Sequence, residues 1–353
     1  LESCNVNIRA MIRPLLFSVF AAVALVSGCS TLDSTPDVDG GAPIEKAVQV
    51  PAAGVHVGNQ YVLEPSLAGS EREFQARDGS TLGYIAREAP GATTALVYLH
   101  GIESHAGWFA QAAALLQDRG YDVFSLDRRG SGINRENRGY VSGHIDHYQQ
   151  LFDDIHDFIA PLRQHYRHVV LVGLSWGGKL ATAYELEYPE DVDGLVLITP
   201  GIKALVDVSL PTKLKIVLLA QFSPQSPIAS PIAPEMFTTT PRYLEYIKSD
   251  PSRLTHATAR FYWQSSRLDS YLAGNIAALD RPTLLLLAGQ DRIIDNAGVL
   301  GMLNRGNTDK LTVINYPDQT HSVQFDDPGR LVQDMDHWLQ QLTNSTMEPG
   351  LPR

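Results

Sequence analysis

The sequence of 353 residues predicts an α/β protein with a mostly parallel central sheet, helices on both faces of the sheet and a helical cap insertion. Short apolar runs bounded by turn residues recur along the chain, and amphipathic helical patterns lie between them. This alternation stops between about residues 201 and 275 and then resumes. An insertion at that point is expected to cover the carboxyl edge of the sheet, where ligands bind in open α/β proteins.

The predicted sheet strands are short and rich in Val, Leu and Ile, a composition typical of strands buried on both faces. They are Thr94–Leu99, Asp122–Leu126, His168–Val172, Gly194–Ile198, Thr283–Leu287 and Leu311–Asn315. A hairpin should precede them, with Glu73–Arg77 and Leu82–Arg87 as strands and Asp78-Gly79 as the turn.

Helices are predicted between these strands. Apolar residues recur at helical spacing from Leu151 to Leu162, whereas Asp153, Asp154 and Asp157 fall mainly on the other face. Similar patterns cover Trp108–Arg119, Gly177–Tyr188 and Asp327–Leu342, and within the cap Leu214–Phe222, Tyr243–Lys248 and Leu254–Leu268.

Composition excludes several classes of protein. The formal net charge is −11 and 44% of the residues are hydrophobic, so the chain is neither disordered nor a polytopic membrane protein. An acidic chain repels phosphate, so we expect no nucleic-acid partner. Two cysteines cannot build a disulfide framework for a chain of this size.

The N-terminal residues resemble a bacterial lipoprotein signal. A basic start at Met11 precedes an uncharged run from Leu15 to Val26, which is too short to span a bilayer comfortably. Val26-Ser27-Gly28-Cys29 resembles the lipobox, which implies cleavage before Cys29 and acylation of that cysteine. We therefore predict a signal peptide over residues 1–28, with a possible start at Met11. The alternative is an ordinary secretory signal with a chance cysteine.

These features predict a membrane-anchored lipoprotein on the periplasmic side. Ser30 after the lipidated cysteine suits the outer membrane, by resemblance to lipoproteins of Gram-negative cells. Residues 29–58 are rich in Asp, Pro, Gly, Ala and Ser and predict a flexible tether. Residues 59–343 should form the folded domain, and residues 344–353 a frayed tail.

The sharpest motif is Gly173-Leu174-Ser175-Trp176-Gly177, between a Val-rich strand and a helical pattern. A serine on such a strand–turn–helix corner stands clear of the sheet, and the two glycines remove side chains that would clash with the turn. Ser175 is therefore the predicted nucleophile. The alternative is a serine in an ordinary strand-to-helix turn.

A serine nucleophile needs a base and an orienting acid, and for this kind of turn the acid and then the histidine follow along the chain. His321 lies in a loop after a late strand and is the predicted base. His256 falls in the cap and His337 within the last helix, so both are less suitable.

The acid should follow the preceding strand. Asp291 does so directly after Leu284–Gly289 and is the predicted acid, with Asp295 as the alternative. Asp318 lies three residues before His321 and is expected instead to cap the turn. Two backbone N–H groups should form an oxyanion hole. The predicted donors are Trp176, after the nucleophile, and Ile102, after the first central strand.

With these residues in place, the chain resembles an α/β-hydrolase, and within that superfamily the monoacylglycerol lipase and lysophospholipase group. The resemblance runs from about Glu73 to Leu342 and is carried by the segments His100–Phe109, Asp127–Gly132 and Gly289–Asp295. It implies the same roles for Ser175, Asp291 and His321. The chain departs from that group at Ser104, Trp108, Trp176 and Ser322, which bear on the substrate and not on the reaction type.

Weaker motifs predict neither a metal nor a cofactor. His144, Asp146 and His147 lack further metal ligands, and Asp146 is expected to cap the following helix. Gly130-x-Gly132 is too short for a dinucleotide fingerprint. A cluster of arginines could meet lipid phosphates, although such side chains are more often solvated or ion-paired: Arg128, Arg129, Arg135 and Arg138.

The sequence thus predicts a membrane-anchored serine hydrolase that cleaves carboxylic esters of small molecules or lipids, of the monoacylglycerol or lysophospholipid type. Two alternatives remain open. The same triad could act on a peptide or amide, as in related prolyl aminopeptidases, or the chain could be a lipoprotein that binds a ligand with a silent site.

Overall fold

The computed structural model describes Val48–Gln49 and residues 69–345. The strands, in chain order, are β1 (Val48–Gln49), β2 (Ser70–Gln75), β3 (Thr81–Arg87), β4 (Thr94–Leu99), β5 (Asp122–Leu126), β6 (His168–Leu174), β7 (Gly194–Ile198), β8 (Pro227–Ala229), β9 (His256–Thr258), β10 (Thr283–Ala288) and β11 (Leu311–Tyr316).

The α-helices, in chain order, are α1 (Ala110–Asp118), α2 (Tyr148–Leu162), α3 (Trp176–Glu187), α4 (Leu210–Phe222), α5 (Pro241–Ser249), α6 (Ala259–Asn275), α7 (Asn296–Leu303), α8 (Val323–Asp326) and α9 (Pro328–Ser345). A 3₁₀ turn over Ala106–Phe109 leads into α1. None of the helices in residues 69–345 combines the length and the apolar character that a membrane crossing requires.

The main sheet has the strand order β1-β11-β10-β7-β6-β4-β5-β3-β2 in the described residues. From β1 to β5 in this order all neighbouring strands are parallel, and β3 is antiparallel to both of its neighbours, β5 and β2. The predicted hairpin is β2 and β3, with Gly79 at φ +85° in its turn. The predicted mostly parallel sheet is confirmed.

Two apolar clusters pack against the sheet, one on each face. Because side chains alternate along a strand, Val97 of β4 packs with residues of α2 and α3, while its neighbour Leu96 packs with α1 and α9. Every residue of β4, β5, β6, β7 and β10 is buried. This double burial explains why these strands read as continuous apolar runs in the sequence.

The insertion between β7 and β10 contains α4, α5 and α6, and its strands β8 and β9 pair only with each other. The predicted helix Leu254–Leu268 is wrong at its start. His256–Thr258 is a strand, and α6 begins at Ala259, where the Thr258 hydroxyl accepts a hydrogen bond from Phe261 N at 3.2 Å. A threonine cap after an extended segment is a helix start that apolar spacing does not show.

The chain termini of the domain differ from expectation at a few residues. Val48–Gln49 lie in the predicted tether but pair in parallel with β11, and α9 continues through Ser345 into the predicted tail. The predicted signal peptide, Cys29 and the remainder of the tether lie outside the described residues and stay predictions.

Candidate active site

Ser175 lies in a sharp turn between β6 and α3. Its φ is +54° and its ψ is −124°, a conformation that costs a non-glycine residue roughly 1–3 kcal/mol. Backbone bonds hold the turn, because Ser175 N donates to Ile198 O at 3.0 Å and Ser175 O accepts from Gly178 N at 2.8 Å. Strain held in this way at a surface of converging loops is typical of functional residues.

The two motif glycines are required by close packing. A Cβ on Gly173 would lie 2.6 Å from Gly177 O, and a Cβ on Gly177 would lie 2.1 Å from Leu99 O. These contacts are with backbone, which cannot swing aside. The glycines therefore allow α3 to begin directly against the end of β4.

His321 and Asp291 meet at the ends of neighbouring strands. His321 Nδ1 is 2.8 Å from Asp291 Oδ2, and both side chains are 0% exposed. Asp291 Oδ1 accepts hydrogen bonds from Ile293 N at 2.8 Å and Ile294 N at 3.0 Å, which fixes the carboxylate. His321 Nε2 is buried and has no hydrogen-bond partner in the described part of the chain. The hydrogen bond at Nδ1 thus orients the imidazole, while Nε2 is left without a partner among the described residues.

The alternatives for the acid and the base lie elsewhere. Asp295 caps α7 through Gly298 N at 2.9 Å, and Asp318 is exposed. His256 is an exposed residue of β9, and His337 is exposed on α9 and contacts Gln341. Of the three candidate acids, Asp291 is therefore the one that contacts His321.

The loop after β4 reaches the serine turn. A Cβ on Gly101 would lie 3.3 Å from Ser175 Cβ and 3.1 Å from Ser104 Oγ, so the loop backbone packs against the turn that carries Ser175. Ile102 is the next residue. Trp176 opens α3, and the first N–H groups of a helix have no intrahelical acceptor. The two predicted oxyanion donors thus belong to adjoining backbone segments.

The cap covers this edge of the sheet. Ser322 N donates to Phe237 O at 2.9 Å, and the rings of Phe237 and His321 are 5.9 Å apart. Trp176 Nε1 donates to Ser265 Oγ of α6 at 2.9 Å. Cap residues therefore contact both the histidine and the residue after the serine.

The four arginines of the predicted basic cluster differ in their surroundings. Arg129 pairs with Asp154 and Asp78, Arg138 with Glu71 and Glu73, and Arg135 with Glu136. Arg128 instead turns inward and binds backbone carbonyls of the loop after β4.

The helix-cap prediction for Asp146 is wrong. The residue before α2 is His147, whose ring nitrogen accepts from Gln149 N at 3.4 Å, while the Asp146 side chain is 83% exposed. The helix starts two residues beyond Asp146, so its carboxylate is too far along the chain to cap the first turn.

Comparisons with known proteins agree with this architecture. The family model of serine aminopeptidases, S33, matches residues 91–328. A monoacylglycerol lipase of Mycolicibacterium smegmatis is 24% identical over 252 residues, 69% of this chain and 87% of the relative. Phospholipase YtpA of Bacillus subtilis is 24% identical over 211 residues, 59% of this chain and 80% of the relative.

Solved structures show the same fold. A soluble variant of monoglyceride lipase from Saccharomyces cerevisiae, in complex with a substrate analog, superimposes with a TM-score of 0.70 at 20% identity, over 81% of this chain and 99% of that one. Monoacylglycerol lipase from Paleococcus ferrophilus gives a TM-score of 0.67 at 18% identity, over 74% and 99%. The α/β-hydrolase fold predicted from the sequence is thereby confirmed.

Proposed function

The chain belongs to the serine aminopeptidase S33 family of α/β-hydrolases, and from this premise we propose that it cleaves carboxylic esters of the monoacylglycerol or lysophospholipid type. The observations that support the reaction are the buried Asp291–His321 pair, whose Nε2 has no partner in the described residues, and a serine held in a strained turn after a strand of the same sheet. Relatives named monoacylglycerol lipase and phospholipase support the substrate class.

In the proposed reaction, His321 Nε2 takes the proton of the Ser175 hydroxyl as Oγ attacks the ester carbonyl. The N–H groups of Ile102 and Trp176 hold the negative oxygen of the tetrahedral intermediate. Asp291 accepts from Nδ1–H and stabilises the imidazolium that forms. The imidazolium then protonates the leaving alcohol, and water releases the acid from Ser175 by the reverse sequence.

An apolar stripe on α4 supports a lipid substrate. Leu210, Leu214, Leu218 and Phe222 recur every four residues, and their exposed fractions are 62%, 42%, 49% and 74%. A soluble protein gains nothing from exposing such a row to water, whereas a bilayer surface would cover it. We propose that this stripe faces the membrane that supplies the ester.

Lipid anchoring would place the enzyme at that membrane. We propose acylation at Cys29 on the periplasmic side, in the outer membrane, because several acyl chains on one residue give firm anchoring. In a Gram-negative host, metabolic labelling with an alkyne fatty acid should mark the wild type and not C29S. Recovery of unlabelled wild type in the soluble fraction would refute the anchor.

Hydrolysis by purified protein tests the reaction. p-Nitrophenyl esters of increasing chain length, monoacylglycerols and lysophospholipids should be cleaved by the wild type, and S175A should lose several orders of magnitude in kcat. H321Q should behave like S175A, whereas H337Q alters an exposed histidine and is the matched control. Unchanged ester hydrolysis by S175A would refute the proposal.

Two further outcomes would identify the alternatives. Cleavage of aminoacyl p-nitroanilides in preference to esters would assign an aminopeptidase or amidase. Failure of a fluorophosphonate probe to label the wild type, together with no hydrolysis, would assign a binding protein with a silent site. Labelling of the wild type but not of S175A identifies Ser175 as the reactive nucleophile.

A further inference from the structure

Arg128 is buried beside the loop after β4, and its hydrogen bonds go to uncharged groups. Nη1 donates to Gly101 O at 2.8 Å, and Nη2 donates to Ile102 O. The guanidinium also lies 5.3 Å from the ring centres of both Trp176 and Phe261. It therefore contacts both residues that carry the proposed oxyanion donors.

His100 acts on the same carbonyl. Burial and the charge of Arg128 lower the pKa of His100 well below its ordinary value, so the ring is neutral and carries one proton. Nε2 lies 3.2 Å from Arg128 N, and Nδ1 lies 2.8 Å from Gly101 O and 2.9 Å from Arg128 Nη1. Gly101 O thus accepts a hydrogen bond from Arg128 and also contacts the ring of His100.

These two contacts with Gly101 O fix the plane of the peptide between Gly101 and Ile102. In a trans peptide the carbonyl oxygen of Gly101 and the N–H of Ile102 belong to one rigid unit and point in opposite directions. Holding Gly101 O therefore sets the direction of Ile102 N–H. The other terminal nitrogen of the Arg128 guanidinium, Nη2, binds Ile102 O and so holds the next peptide as well. A planar guanidinium can bridge two consecutive carbonyls, and an ammonium cannot do so with the same geometry.

The charge of Arg128 is compensated less directly than that of its neighbour. Its guanidinium is attracted by the buried carboxylate of Asp127, but its hydrogen bonds in the described residues go to neutral acceptors, which offset less of the lost hydration than a bonded carboxylate does. Arg129, the next residue, is also buried but has Asp154 at 2.6 Å. The two neighbours therefore differ in their partners, since one completes an ion pair and the other binds carbonyls of the loop after β4.

We propose that Arg128 is a positioning residue that aligns the Ile102 N–H for the oxyanion. This rests on the proposed ester hydrolysis. An oxyanion donor acts chiefly in the transition state, so its misalignment should lower kcat and leave KM nearly unchanged. The affinity for a trifluoromethyl ketone, which forms a tetrahedral adduct with the serine, should fall with kcat.

The test compares R128K with R129K, an identical change at adjacent buried arginines. With p-nitrophenyl butyrate, R128K should lose about tenfold or more in kcat, with a matching rise in the inhibition constant of the ketone. R129K should keep both constants and show only a lower Tm. Each rate is divided by the concentration of active sites, which is measured by titration to completion with a fluorophosphonate. If R128K fails to fold, R128Q replaces it.

Three results would overturn the proposal. R128K could retain wild-type kcat and ketone affinity. It could raise KM alone, which would make Arg128 a substrate-binding residue. It could lower kcat no more than R129K does at an equal loss of Tm, which would make its role structural. Failure of the ester reaction itself is recognised separately, because the wild type would then be as inactive as S175A.

Discussion

Replacing Arg253 by Met should destabilise the domain strongly, because it breaks a buried ion pair between the cap and the loop after β4. Arg253 Nη2 is 2.7 Å from Glu103 Oε2, and the two side chains are 9% and 1% exposed. Removing one partner leaves an uncompensated carboxylate. Breaking a buried pair in this way costs about 3–5 kcal/mol, or roughly 10 °C in Tm for a domain of this size.

The pH dependence separates this cause from lost packing. Burial raises the pKa of Glu103 above its ordinary value, and Arg253 opposes that rise. Without Arg253 the pKa of Glu103 rises further, so the folded variant binds a proton that the unfolded chain releases. Folding of the variant is then favoured as pH falls. The loss of Tm in R253M relative to wild type should therefore shrink as the pH is lowered from about 7.5 to 5.

Thermal unfolding followed by circular dichroism at both pH values measures the effect. The double variant R253M/E103Q has no charge to leave unpaired and should recover most of the lost Tm at pH 7.5. A loss of Tm that is equal at both pH values, or that the added E103Q substitution does not relieve, would show that the destabilisation comes from lost packing. A Tm within about 2 °C of wild type would refute the reasoning altogether.

Two further variants test the proposed site. D291N should keep the fold and lose about 10⁴-fold in kcat, because the amide cannot hold His321 in the required tautomer; near wild-type turnover would exclude Asp291 as the acid. G177A should lose activity together with 1–3 kcal/mol or more of stability, because its Cβ would lie 2.1 Å from Leu99 O. G301A is its control, since a Cβ there meets nothing within 4 Å, and equal stability losses in the two variants would refute the packing argument.

The strands and their ends could be predicted because burial on both faces leaves a direct trace in composition. Asp122–Leu126 and Gly194–Ile198 have the bounds that their apolar runs predicted. Parallel strands place their carboxyl ends at one edge of the sheet. The predicted strands therefore also predict that the loops carrying Ser175, Asp291 and His321 lie at that edge. The pairing of Asp291 with His321 follows from neighbouring strands β10 and β11.

Features set by single polar contacts could not be predicted. The start of α6 depends on the hydroxyl of Thr258, and the start of α2 on the ring of His147. Val48–Gln49 join the sheet through backbone pairing with β11, to which their side-chain pattern gives no clue. Arg128 and Arg129 are adjacent and chemically identical, and only the folded chain shows which one faces a carboxylate.

The loop after β4 is held by Arg128 and by the segment 250–254 of the cap. Arg128 binds its carbonyls, while Asp250 Oδ2 is 3.0 Å from His105 Nε2 and Leu254 N donates to Glu103 O at 2.9 Å. A shift of the cap segment 250–254 would therefore pull on the same loop that presents Ile102. It follows that R253M should lower kcat by more than its unfolded fraction accounts for, with KM less affected. That excess measures how far the geometry of the proposed oxyanion hole depends on the position of the cap.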